Sequence, residues 1–126
     1  MTQITNPYRD LEKRTTDFAK QVMLMCQNLP KDTINNCYID QIIRSSGSIG
    51  ANYREANEAL GKKDLAYRLR IARKEIKETR HWLELITAAN PFFEDRATIL
   101  INESDELRNI FSSILNKVSE RNRDAV

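Results

Sequence analysis

Apolar residues recur along this chain at alternating spacings of four and three, the period of helices that turn one face toward a core. Leu11, Thr15, Phe18, Val22, Met25 and Leu29 form the first seam. Asn6-Pro7 stands before it, a capping side chain followed by a residue whose missing N–H is harmless in a first turn, and Pro30 closes it. The pattern predicts a helix over about residues 7–29.

A second seam, Ile39, Ile42, Ser46, Ile49, Tyr53, Ala56 and Leu60, follows Asp32 and Thr33, either of which can cap, and predicts a helix over about 33–60. The alternation passes straight through Gly47 and Gly50. Each mid-helix glycine costs about 1 kcal/mol relative to alanine, so a continuous helix must recover something there. Together with Ser45, Ser46, Ser48 and Ala51, the two glycines leave almost no side-chain bulk, and close approach by a facing helix is the expected compensation.

Gly61 breaks the pattern. The third seam, Leu65, Leu69, Ala72, Ile76, Thr79, Leu83 and Ile86, predicts a helix over about 63–87. Asn90-Pro91 repeats the first start motif and opens a fourth helix over about 91–119, with Phe93, Ala97, Leu100, Ser104, Leu107, Phe111, Ile114 and Val118 as its seam. The polar residues beyond Ser119 are expected to fray. Four seams of comparable length on short connections predict an all-α, antiparallel up-down-up-down four-helix bundle, a single domain over 1–126.

Composition supports helices: 30% of the residues are charged, and three glycines and three prolines are too few for the turns of an all-β fold. The opening MTQITNPYRD lacks a secretory pattern, and no apolar run approaches the roughly 20 residues that span a bilayer. A cytoplasmic protein without membrane attachment is expected. Cys26 and Cys37 flank a helix–helix turn at a spacing that fits no common zinc pattern, and they read as two reduced, half-buried thiols.

Several short motifs in order carry a resemblance. Arg44-Ser45-Ser46, Ser48-Ile49-Gly50-Ala51-Asn52-Tyr53-Arg54-Glu55-Ala56, Lys62-Lys63-Asp64 and Trp82-Leu83-Glu84-Leu85 resemble the four-helix-bundle family encoded in intervening sequences of bacterial 23S ribosomal RNA genes. Tyr8-Arg9-Asp10-Leu11-Glu12 resembles that family's opening, although many members carry a tryptophan shortly after, where this chain has Arg14. The resemblance implies an antiparallel four-helix bundle assembled as a homopentamer, with no established enzymatic activity. A more distant similarity is to the accessory variability protein of diversity-generating retroelements, a bundle that binds nucleic acid and a reverse transcriptase.

Catalytic constellations are missing from the pattern. Glu78-Thr79-Arg80-His81 has the Glu-x-x-His spacing of di-metal bundles, but a full site needs a second such pair, and His81 is the single histidine. Glu78 and His81 also fall roughly 140 and 160 degrees around the helix from its seam. Gly61-Lys62-Lys63 echoes a phosphate-binding loop without its first glycine or preceding strand, and Gly47-Ser48-Ile49-Gly50 echoes a KH clamp without the KH strands. No serine or cysteine has a base other than His81. Neither enzyme, metal nor cofactor is expected.

The third helix carries more than a core face. Tyr67, Ile71 and Trp82 lie roughly 100 to 160 degrees from its seam, and an aromatic strip on a second face is the pattern of a subunit contact or of a surface patch. From Lys62 to Ile86 there are eight basic residues and four acids, a net +4 in a chain whose total is +2. Arg70, Arg73, Lys77 and Arg80, with Lys74 beside them, form a strip that flanks the seam opposite the aromatic residues.

Two functions follow. In one, a homo-oligomer, pentameric by resemblance, binds structured RNA or DNA, such as ribosomal RNA, through that basic strip, and several copies compensate for weak binding per chain. In the other, the strip is partnered by acids of a neighbouring helix or subunit, and the assembly is a structural module that docks a protein partner.

Overall fold

The computed structural model describes residues 10–124, with side chains through residue 119. Four helices follow one another: α1 (Leu11–Asn28), α2 (Thr33–Asn57), α3 (Lys62–Ala89) and α4 (Glu94–Asp124), the last entered through a single 3-10 turn, Pro91–Phe93. No strand occurs among the described residues. The order is that of an antiparallel four-helix bundle, in which α2 packs closely on α3, α3 on α4, and α1 on α2, while α1 meets α4 least.

The seams become the core. Leu11, Thr15, Phe18, Val22, Met25 and Leu29 are all buried, as are Leu69, Ala72, Ile76, Thr79, Leu83 and Ile86 of α3 and Ala97, Leu100, Ser104, Leu107 and Phe111 of α4. Leu60 is different: α2 ends at Asn57, the chain turns at Glu58, and Leu60 is 98% exposed. Its spacing continued the α2 seam, but a residue beyond the last helical turn no longer follows the helix period. The structure instead adds Asn35, Ser45 and Gly50 to the buried face of α2.

Ends are set by specific groups. Asp32 caps α2, its carboxylate accepting the backbone N–H of Asn35 at 2.8 Å. Gly61 precedes α3 at φ 131°, a conformation that side-chain-bearing residues rarely adopt. Asn6-Pro7, expected to start α1, lies outside the described residues. The second Asn-Pro works differently from the expectation: Asn90 makes no side-chain cap and is buried, with Pro91 in the first position of the 3-10 turn.

The small-residue stretch of α2 divides by face. Ser45 turns to α3, where the Thr79 hydroxyl donates to its oxygen at 2.8 Å. Gly50 turns to α1, and a Cβ there would stand 3.0 Å from Thr15 Oγ1. This is the expected close approach. Gly47 is exposed and a Cβ there would meet nothing within 4 Å, so intrachain packing does not account for it. The two thiols also separate: Cys26 is buried and Cys37 exposed, rather than both half-buried.

Candidate nucleic-acid interface

The seam of α3 fixes how the rest of its circumference is distributed. Toward α2, its acids are engaged by one arginine: Arg44 lies 3.3 Å from Glu75 and also bonds Glu78. Glu78 further accepts from Trp82 Nε1 at 3.2 Å. At the start of the helix, Asp64 lies 4.0 Å from Arg68. Acidic charge on α3 is thereby concentrated away from the α4 flank, apart from Glu84, which bonds Arg80.

The five basic residues of the strip occupy two distinct settings. Arg70, Lys74 and Lys77 are exposed and make no hydrogen bond or ion pair among the described residues. Arg73 and Arg80 are half-buried at the seam between α3 and α4. Arg73 Nη1 donates to Ser112 Oγ at 3.3 Å, and Arg80 Nε donates to Asp105 Oδ1 at 2.7 Å. Three cations therefore stand in water, and two are held against α4 by side chains that fix their direction.

One residue of this face cannot be found by reading α3 alone. Arg108 lies on α4 between Asp105 and Ser112, at spacings of three and four, which puts it on the side of α4 that meets α3. It is half-buried and makes no hydrogen bond or ion pair among the described residues. The signal is present in the sequence as the three-four spacing, but only a known partner helix shows which face it occupies.

The aromatic strip is also divided. Tyr67 is 55% exposed, with the Arg68 guanidinium 5.7 Å from its ring centroid. Ile71 is half-buried. Trp82 packs partly against the core, its ring 6.0 Å from that of Tyr38 on α2 and 5.1 Å from His81. Part of the Trp82 surface is thus used within its own chain, whereas Tyr67 projects from the bundle.

Among the described residues no group of three or more His, Cys, Asp or Glu side chains is placed to share a metal ion, and no helix is long and apolar enough to cross a membrane. The face can supply positive charge along a rigid rod, a form that suits contact with phosphates.

Comparison with known proteins bears on the family and the fold. The family model described as 23S rRNA-intervening sequence protein matches residues 10–113. A solved crystal structure of a protein of unknown function from the S23 ribosomal protein family of Bacteroides thetaiotaomicron VPI-5482 is similar to this chain. It is 32% identical over 82% of this chain and 96% of its own, with a TM-score of 0.75. No curated protein matches the sequence.

Proposed function

Since the chain belongs to the 23S rRNA-intervening sequence protein family, we propose that it is a non-catalytic homo-oligomeric bundle, pentameric by resemblance, that binds structured nucleic acid such as ribosomal RNA through α3. The observation that carries this reading is the separation of charge around α3. Its acids toward α2 are neutralised by Arg44, while Arg70, Lys74 and Lys77 project with no carboxylate partner among the described residues. Arg70 to Lys77 covers about 10.5 Å of helix axis, a rigid ladder of cations that a phosphate backbone can follow.

A single copy that neutralises about three or four phosphates would release its ligand readily at physiological salt. Copies joined in one assembly raise the effective concentration of the strip, so the oligomer and the charged face support one function. Tyr67 and Ile71, with the outer part of Trp82, are the surface proposed to join neighbouring subunits. Light scattering of the purified protein, with absorbance at 260 and 280 nm before and after a high-salt wash, tests both parts together. An oligomer that carries nucleic acid until the wash is expected. A monomer with a clean protein spectrum would refute both.

A second reading has one observation in its favour: Arg80 is engaged by Asp105 and Glu84, and Arg73 by Ser112, so two of the five cations are already partnered. On that reading the bundle is a structural module that docks a protein partner. The substitutions Arg70→Ala, Arg73→Ala and Lys77→Ala made together distinguish the two, by loss of nucleic-acid binding in the first case and by disruption of the assembly in the second.

A further inference from the structure

Two side-chain hydrogen bonds define the register between α3 and α4. Arg80 meets Asp105 and Arg73 meets Ser112, so a step of seven residues up one helix matches a step of seven down the other. The same register places Lys77 at the level of Arg108. Asp105, Arg108 and Ser112 share one face of α4, and the outer two both reach α3. Arg108 therefore stands in the seam between two held arginines and opposite a lysine.

This is an unusual position for a guanidinium. Arg108 is half-buried, cannot shed its charge, and has no hydrogen-bond or ion-pair partner among the described residues. Other inter-helix arginines have partners: Arg14 is answered by Glu103 and Glu106, Arg44 by Glu75 and Glu78, Arg80 by Asp105 and Glu84, and Arg73 by the Ser112 hydroxyl. Among the described residues the ion pairs made by Arg70, Arg73, Lys77, Arg80 and Arg108 are those of Arg80 with Asp105 and Glu84.

We infer that Arg108 is a phosphate ligand, and that the seam between α3 and α4, rather than α3 alone, cradles a phosphodiester backbone, with Arg70, Arg73 and Lys77 along one wall and Arg108 on the other. The inference rests on the nucleic-acid reading above and deepens it. Arg80 takes a different part from the one its sequence position suggests. Its two carboxylate partners leave it little capacity for a ligand, and it holds the wall of the cradle in place. Because the row contains no aromatic ring for a base to stack on, binding is to the backbone, and a duplex suits it better than a single strand.

Fluorescence anisotropy with a short mixed-sequence RNA duplex, and separately with one of its strands, tests this on the full chain. Arg108→Gln is expected to weaken duplex binding about tenfold and to flatten the log-log salt dependence by about 0.9, the change for one fewer neutralised phosphate. Arg108→Lys is expected to restore the salt slope, because it restores the charge. Arg108→Gln should melt with the wild type, since Arg108 has no intramolecular polar partner to lose. Should Arg108→Gln keep wild-type affinity and slope while the triple Arg70→Ala, Arg73→Ala, Lys77→Ala variant loses both, the cradle is wrong and the α3 strip stands alone. Should the triple variant bind like the wild type, the nucleic-acid reading itself fails. Tighter binding of the single strand would overturn the preference for a duplex.

Discussion

Asn35 and Asn90 exchange two side-chain amide hydrogen bonds, of 2.9 and 2.8 Å, across the bundle from the start of α2 to the end of α3. Asn35 also donates to the Pro30 carbonyl and Asn90 to that of Ile86, each at 2.9 Å. Both side chains are buried, and no buried side-chain nitrogen or oxygen among the described residues lacks a partner. The pair therefore ties the α1–α2 connection to the α3–α4 connection with every polar group satisfied, which is the condition under which buried amides stabilise a fold.

Removing one member should be worse than its own hydrogen bonds suggest. Asn35→Ala or Asn90→Ala leaves the other amide buried with its polar groups short of a partner, a loss of about 1–3 kcal/mol. The double variant should lose less than the sum of the two. Urea unfolding of the four proteins in a double-mutant cycle measures this, with a coupling energy above about 0.5 kcal/mol expected and additive losses as the contrary result.

The two glycines of α2 should respond in opposite directions. At Gly50 a methyl group would press on the Thr15 hydroxyl, which is itself held by the Leu11 carbonyl at 2.6 Å, so Gly50→Ala should destabilise by about 1–3 kcal/mol. At Gly47 the added methyl meets open space, and Gly47→Ala should stabilise the helix by up to about 1 kcal/mol. Thermal unfolding of the two variants reads the sign directly. A Gly47→Ala chain that folds normally but assembles poorly would place that surface against another copy.

The thiols should separate by reactivity. Burial pushes the Cys26 thiol up to about 11, whereas Cys37 is exposed. A thiol-specific reagent at about pH 8 should label Cys37 in the native protein and Cys26 only after unfolding. The folded thiol ionises later than the unfolded one, so its contribution to stability is complete below the ordinary value of 9.0 and is lost as pH rises through about 11. Cys26→Ala should remove that part of the alkaline decline, as measured by urea unfolding at successive pH values.

Much of this architecture is legible in the residues because three-four spacing maps directly onto burial. The whole α1 seam and nearly all of those of α3 and α4 lie in the core. What spacing does not supply is the identity of the neighbour. Gly47 and Gly50 differ by three positions, yet only Gly50 meets α1 closely. Asn90 has the pattern of a cap before proline and is instead half of a long-range pair, whose other half, Asn35, carries no local signature.

The candidate interface shows the same division. The basic strip of α3 can be read from one helix, but the engagement of Arg80 by Asp105 and the position of Arg108 depend on the register with α4. Arg14 is a further case. It forms a two-pronged bond to Glu103, with both distances 2.8 Å, so a polar clasp joins α1 to α4. Hydrogen bonding to Glu103 holds the Arg14 guanidinium above its ordinary range, a consequence of a pairing 89 residues apart in the chain.

The claim on which the functional account turns is that α3 offers unpartnered positive charge to a phosphate backbone. Binding of an RNA duplex measured across a range of salt concentrations, for the wild type and for the combined Arg70→Ala, Arg73→Ala, Lys77→Ala variant, tests it most directly. The account predicts a steep wild-type salt dependence and a variant slope shallower by about 0.9 for each phosphate no longer neutralised, nearly three units if all three residues engage. Equal affinities and equal slopes for the two proteins would contradict it.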